Sequence, residues 1–487
     1  MPCTTILVGK DASYDGSCLM ARNDDNGPGS FEPKKLVVIT PEEQKRDYTS
    51  VLSHVHIELP DDPQRYTAVP NAVAGRGIWA AAGINASGVS MTATETITSN
   101  PRVLGADPLV AYDPQTETPG GIGEEDLVYI TLPYIHTARE GVERLGMLTE
   151  TYGTYEMNGI GFSDAKEIWW FESIGGHHWM ARRLPDDCYA VIPNQLGLDT
   201  FDFEDAATSA KNFMCSKDLK QFVEDNHLDL NMKGGNFNPR DAFGSHSDAD
   251  HVYNTPRAWI IERYLNPTTS KWDGPDADYN PRSDDIPWCR VPEKKVTIED
   301  IKYLLGEHYQ GTPFDPYETH GQTSMAGAYR PIGINRTAFM SISQLKEGAE
   351  PVEWICFGSN PFNAMPVFFT NVEKMPVYLS DTTAEVTTDS FYWTSRLIAA
   401  LADASYNTCI AIIERYQEAV ASKAHSILNT TMPQVEKEPD AAKKLALMEE
   451  ANQKMADLTR QAAESCLSQV LFERSLQMKN AYSRADA

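Results

Sequence analysis

All 31 glycines of this 487-residue chain lie at or before position 358, and nothing after Gly358 is glycine. Glycine permits tight turns with positive φ and weakens helices, so this boundary separates two ways of folding. Before it, apolar runs are short and punctuated by Gly, Asp, Asn or Pro: TTILVG, SCLMARN and KKLVVIT follow one another in the first forty residues. After it, apolar residues recur at helical spacing through FYWTSRLIAALADASYNTCIAIIERYQEAVASKAHSIL and again from Asp440 to about Asn480. Pro433 and Pro439 interrupt that run, because proline cannot donate to a continuing helix. The expected result is a helical hairpin over 381–487, a packing or oligomerisation element, appended to a larger domain over 3–380.

Within the larger part the order of elements is informative. The first two runs read as a hairpin with its turn at DASYDG, and RGIWAAAGINASGVSMTATETI as another with its turn at Asn85 to Gly88. EEDLVYITLPYIHTAREGVERLGMLTETYG switches to helical spacing and predicts one or two helices ending at Gly146 and Gly153. Strands return in NGIGFSDAKEIWWFESIGGHHWMARRL and DCYAVIPNQ. Helical pieces PRAWIIERYL and TIEDIKYLLGEHY sit in a polar stretch over 200–325, and RTAFMSISQ and PVFFTN close the strand-like runs. Strands, then helices, then strands again predict an α+β architecture rather than a βαβ series.

Charge narrows the partners. With 42 Lys plus Arg against 69 Asp plus Glu, the net charge of −27 repels phosphate backbones and anionic lipid. No stretch approaches the ~20 apolar residues of a membrane span, and the start of the chain lacks a basic segment followed by a long apolar run. No nucleic acid, no membrane and a cytoplasmic location are the expectations. The eight cysteines, Cys3, Cys18, Cys188, Cys215, Cys289, Cys356, Cys409 and Cys466, contain no CxxC pair, so neither a disulfide framework nor a zinc knuckle is indicated.

Cys3 stands apart through its company. A lone thiol near a terminus is usually inert, but the predicted hairpin brings Arg22, Asn23, Asp24 and Asp25 beside the strand that Cys3 begins, at an edge of the sheet. A free thiol has a pKa of about 8.5, and a neighbouring guanidinium favours the thiolate. Were Met1 and Pro2 removed, Cys3 would gain an α-amine of pKa about 7.7–8.0, able to serve as base for its own thiol. Asp25 could then orient that amine as the third member of a triad orients its base.

A near-terminal Cys followed by TT and an apolar run, then DG, then RN-x-D, resembles the choloylglycine and penicillin V acylase group of N-terminal-nucleophile hydrolases. The chain is more similar still to the peptidase C69 family of bacterial dipeptidases. That resemblance extends through EEDLVYITLPYIHTAREGVERLG, NGIGFSDAKEIWWFESIGGHHWMARR, AVIPNQLG, YNTPRAWIIERYLNP and WICFGSNPFNAMPVFFTN, to about residue 375. It implies a four-layer αββα sandwich and a cysteine-type dipeptidase acting on free dipeptides without a cofactor, exposed by autoprocessing; a homo-oligomer is the expected assembly. It also implies roles: Cys3 as nucleophile, Arg22 as thiolate partner, Asp25 as holder of the new amine, Asn194 in VIPNQ as an oxyanion donor, and Arg257 in NTPRAW as an electrostatic contributor. A surface ion pair is the plainer alternative for Arg257.

One stretch departs from the acylase pattern. Where those relatives carry a second oxyanion asparagine after the GINASGVSM hairpin, this chain reads TATET, leaving Thr94 or a backbone amide as the donor. Glu95 beside it could pair with the ammonium of a dipeptide, or be an exposed hairpin glutamate. An acylase acting on acylated amines, a non-catalytic secernin-like protein and a zinc peptidase are the competing functions. His54 with His56, His177 with His178, and SHSDADH lack the i, i+4 spacing of a zinc peptidase, so no metal is expected. Trp169, Trp170 and Trp179 read as core aromatics.

Overall fold

The computed structural model describes residues 3–480 except 233 and 318–323. Met1 and Pro2, on whose removal the nucleophile hypothesis depends, lie outside the described residues. The fold is mixed α and β, with antiparallel sheets and a helical C-terminal region.

The first two strands, Thr4–Val8 and Cys18–Asp25, pair in the register Thr5↔Arg22 and Ile6↔Ala21. They belong to a seven-stranded sheet whose order is Cys289–Arg290, Tyr189–Ile192, Thr4–Val8, Cys18–Asp25, Thr337–Leu345, Val352–Phe357, Val367–Phe369. The strand after Cys3 is therefore not at an edge: it is hydrogen-bonded on one side to Tyr189–Ile192 and on the other to Cys18–Asp25. A nine-stranded sheet is built around Asn158–Ser163, Ile168–Ser173 and Trp179–Arg183, with the Ala82–Asn85 and Ser90–Thr92 hairpin and Glu95–Thr96 on its other flank.

Strand alternation distributes the core between faces. Leu7, Met20, Ala190 and Ile192 of the first sheet pack with Ile168, Trp170 and Met180 of the second. The approach is close enough that a Cβ on Gly161 would lie 2.5 Å from Met20 Sδ, which explains a glycine in mid-strand. The alternate residues Ile6, Val8, Leu19 and Ala21 pack away from the second sheet, among helices Thr255–Leu265 and Ile298–Leu305. The far face of the second sheet, with Ile160, Phe162, Trp169 and Phe171, is covered by Leu127–Thr131 and Ala138–Tyr152. All three predicted core tryptophans are buried.

Several expectations need correction. The Ala138–Tyr152 helix runs through Gly146 and stops at Gly153, which has φ 67°. Gly146 serves packing instead: a Cβ there would be 2.3 Å from the Trp179 ring. Val352–Phe357 is a strand that alternation does not reveal, because all six residues are buried. The C-terminal region forms the expected hairpin between Tyr406–Lys437 and Ala441–Leu476, but its first arm is split, with Phe391–Asp403 as a separate helix before it. Pro433 does not break the middle one, since it falls in the last turn and a half, where its ring sacrifices one bond; Pro439 sits in the turn that follows.

These helices share the core of the seven-stranded sheet, with Val420, Met448 and Met455 in one cluster with Trp354, Val367 and Phe369. Asn452, buried on the last helix, caps the outermost strand: its Oδ1 accepts from Phe369 N at 2.8 Å and its Nδ2 donates to Phe369 O at 2.9 Å. An amide side chain thus takes the place of a further strand and closes an edge that would otherwise be open to pairing. Asn452→Ala leaves both backbone groups buried and unpaired, so a loss of about 2–4 kcal/mol in denaturant unfolding is expected; an unchanged midpoint would show that this cap is dispensable.

Candidate active site

Register places the chemistry. Because Thr5 is opposite Arg22, the side chains of Cys3, Thr5, Arg22 and Asp24 share the face turned toward the second sheet, and Thr4, Asn23 and Asp25 share the other. Cys3 is fully buried, and its Sγ accepts a hydrogen bond from Arg22 Nη2 at 2.9 Å and one from Asp25 N at 3.5 Å. The same Nη2 donates to Glu124 Oε1 at 2.9 Å and to Thr94 O at 2.5 Å, while Nη1 donates to Asp24 Oδ1 at 3.1 Å and Ala81 O at 3.2 Å. One guanidinium therefore ties the nucleophile candidate to both sheets.

From Arg22 the contacts form a closed ring. Its Nε lies 4.0 Å from Glu95 Oε1, which accepts from Thr5 Oγ1 at 2.7 Å. Glu95 Oε2 accepts from Asn194 Nδ2 at 3.2 Å, and Asn194 Oδ1 accepts from Arg257 Nη2 at 2.8 Å. Arg257 Nη1 returns to Thr4 Oγ1 at 2.7 Å and to the carbonyl oxygen of Cys3. Arg257 is buried, not a surface ion pair, and its other donors go to Tyr253 O and Asn254 Oδ1, each at 2.7 Å. Every one of these acceptors is neutral, so among the described residues no carboxylate is hydrogen-bonded to this cation. Burial, and next the Arg330 charge, pull its pKa down to about 9.

All seven residues singled out by sequence, Cys3, Arg22, Asp25, Thr94, Glu95, Asn194 and Arg257, meet in this cluster. Glu95 is fully buried rather than exposed on a hairpin. Thr94 contributes its carbonyl to Arg22, and its hydroxyl is already committed to Asn158 Oδ1 at 2.8 Å. Asp25 turns its carboxylate away from the second sheet to Thr337 Oγ1, at 2.5 Å, and to the Arg330 guanidinium. Asn23 goes to structure, donating to Leu305 O at 2.9 Å.

The electrostatics correct one expectation. Arg22 favours the Cys3 thiolate, but burial raises the thiol pKa well above its ordinary value, and Glu95, Asp24 and Glu124 add to that rise. Burial thus works against the thiolate that Arg22 favours, so a base to take the proton would assist attack. Cys3 Sγ, Asp24 and Glu124 are the one group of possible metal ligands among the described residues, with atoms within 4.8 Å of one another. Arg22 already supplies their positive charge, donating to all three. The histidine pairs serve other ends: Nδ1 of His177 and of His178 both meet Asp107, at 3.0 and 2.8 Å, and His56 Nδ1 lies 3.2 Å from Asp47.

Sequence reading missed Glu124 and Arg330. The signal for Glu124 was the run Glu124, Glu125, Asp126, three consecutive acids that are all buried. Glu125 accepts from Val51 N and Leu52 N, each at 2.9 Å, and Asp126 from Tyr48 Oη at 2.5 Å, which fixes the run and aims Glu124 at Arg22.

Comparison with known proteins agrees over the whole chain. Residues 2–419 match the family described as Peptidase family C69. The chain is 51% identical to a protein named "Dipeptidase" from Bifidobacterium longum (strain NCC 2705), over 100% of both chains. It is 48% identical to "Probable dipeptidase A" of Streptococcus pyogenes serotype M18 (strain MGAS8232), over 99% of this chain and 98% of the other. It is 42% identical to "Probable dipeptidase B" of Lactococcus lactis subsp. lactis (strain IL1403), over 98% and 96%.

Glu95 makes a titration prediction. Burial pushes its pKa from 4.5 up to about 8, against the pull of Arg22 and the Thr5 hydrogen bond. A carboxyl whose folded pKa is raised binds its proton more tightly when folded, so its contribution to stability falls as pH rises from about 4.5 to about 8. Glu95→Gln removes that proton site while keeping the shape. The stability difference between wild type and variant should move in the variant's favour across this window, with a slope approaching about 1.4 kcal/mol per pH unit. Parallel pH–stability curves would show Glu95 to be ionised throughout.

Proposed function

We infer the function of this chain from two facts taken together: it belongs to peptidase family C69, and its third residue is a thiol held 2.9 Å from a buried arginine within a closed polar ring. We propose that it is a dipeptidase that cleaves dipeptides bearing a free N-terminus, with Cys3 as nucleophile after autoprocessing removes Met1 and Pro2. The Cys3–Arg22 contact is the observation that carries this reading. Two antiparallel sheets meeting face to face, each with helices on its outer side, support the αββα arrangement of N-terminal-nucleophile hydrolases.

Because burial of the thiol opposes its ionisation, the Cys3 α-amine is proposed as the base. It takes the proton as Sγ attacks the scissile carbonyl, then gives it to the departing amine. The products of this step are a thioester and a free amino acid; water then attacks the thioester, and the same amine serves again. Asp25, fixed by Thr337 and Arg330, is proposed to orient the amine. Asn194 is proposed to donate to the oxyanion. Its amide is aimed by Arg257 at Oδ1, and that adjacent cation polarises the amide into a stronger donor. Thr94 and Glu95 are proposed to flank the substrate from the second sheet. The exposed apolar residues Leu471, Phe472, Leu476 and Met478 at the end of the last helix support self-association. No helix among the described residues is long and apolar enough to cross a membrane.

Intact mass of the purified wild type should lack Met1 and Pro2, and Cys3→Ala should retain Pro2 and lose dipeptide hydrolysis, by roughly 10³-fold or more. Asn194→Ala is expected to lower kcat about 10²–10³-fold with processing intact. Activity that survives Cys3→Ala, or falls to a chelator and not to iodoacetamide, would overturn the assignment.

A further inference from the structure

In a chain with 69 acidic and 42 basic residues, an arginine near a buried site is expected to have a carboxylate beside it. Arg22 has Asp24 and Glu124, and Arg330 has Asp25. Arg336 does not. It is half-buried; its Nη1 donates to Asn26 O at 2.9 Å and its Nη2 to Tyr253 Oη at 3.1 Å, and it forms no ion pair among the described residues.

Its place is specific. Asn26 follows Asp25, whose N–H points at Cys3 Sγ, and the backbone N–H of Asn26 donates to Arg336 O at 2.9 Å. Tyr253, which holds the Arg336 guanidinium, also lies under Arg257 and Arg330, whose guanidinium carbons are 5.3 and 4.9 Å from its ring centroid. Three cations thus converge on one tyrosine, and one of them, Arg257, also donates to the carbonyl oxygen of Cys3. Arg257 has all its donors engaged and Arg330 is neutralised by Asp25. Only Arg336 combines a solvent-accessible side with uncompensated charge. A fork of five N–H groups, two of them used on neutral oxygens, has donors left for a planar anion.

The proposed substrate carries such an anion. In a dipeptide the residue that leaves ends in a free carboxylate whose carbon lies about 3 to 3.7 Å from the scissile carbon. In any longer peptide a neutral amide stands at that point. We propose that Arg336 binds the α-carboxylate of the leaving residue and so restricts cleavage to dipeptides. This inference rests on the dipeptidase reading and adds the residue that would set chain length.

The test compares kcat/KM for one dipeptide and for its C-terminal amide, in wild type, Arg336→Gln and Arg336→Lys. Wild type should prefer the free acid. Arg336→Gln should lose about 10- to 100-fold on the free acid, mainly through KM, and nothing on the amide. Arg336→Lys, which keeps charge without the planar fork, should fall between them. Inhibition of wild type by the free leaving amino acid, stronger than by its amide, should disappear in Arg336→Gln. Equal losses on both substrates, or a wild type indifferent to the carboxylate, would overturn the inference. Failure of the dipeptidase reading looks different, because wild type would then cleave neither substrate and Cys3→Ala would change nothing. Should Arg336→Gln not fold, the Lys variant and the product-inhibition comparison on wild type decide the question.

Discussion

A guanidinium buried between two sheets governs this molecule. Arg22 is 2% exposed, and a cation so placed persists only where carboxylates and carbonyls replace its water. Asp24 and Glu124 supply the charge, Ala81 and Thr94 supply carbonyl oxygens, and Cys3 Sγ completes the set. These partners come from both sheets and from the loop before a helix, so the position of the thiol is set by electrostatic satisfaction as much as by packing. Two carboxylates face this one guanidinium, so deleting either leaves a counter-charge in place but strips Arg22 of a buried charge-assisted hydrogen bond, at a cost of about 1–3 kcal/mol. The site and the stability of the interface between the sheets are therefore the same set of contacts.

The two arginines of the ring do different work because their partners differ. Arg22 is surrounded by acids and holds its charge firmly, which makes it a fixed positive point beside sulfur. Arg257 meets only neutral oxygens, and burial with Arg330 nearby pulls its pKa down to about 9. A cation in that state gains most from negative charge that appears transiently nearby, as it does on the carbonyl oxygen of an acyl-transfer intermediate. Asn194 stands between Arg257 and the Glu95 carboxylate and transmits the first to whatever accepts from its amide.

The long C-terminal helices belong to the same argument at a distance. They fill the outer side of the seven-stranded sheet and cap its last strand through Asn452, which keeps the strands carrying Cys3 and Arg22 in the middle of a supported sheet. The strand that follows Cys3, flanked on both sides and with its register fixed by Thr5↔Arg22 and Thr5↔Ile192, holds its side chains more tightly than a frayed edge would.

The sequence alone determined the local elements and the identities in the ring. Strand alternation, turn residues and helical spacing are near-neighbour properties, so the first hairpin, the GINASGVSM turn and the Thr255–Leu265 helix were legible, and the resemblance pointed to Cys3, Arg22, Asp25, Asn194 and Arg257. Tertiary structure decided what those residues meet. That Gly146 packs on Trp179 rather than ending a helix, that Val352–Phe357 is a strand, and that Glu95 is buried against Thr5 and Asn194 all depend on contacts between segments far apart in the chain. The upward push on the Cys3 thiol pKa is of the same kind. Arg22 and Asp24 can be read from two strands, whereas desolvation and the approach of Glu95 and Glu124 exist only once two sheets have closed over the sulfur.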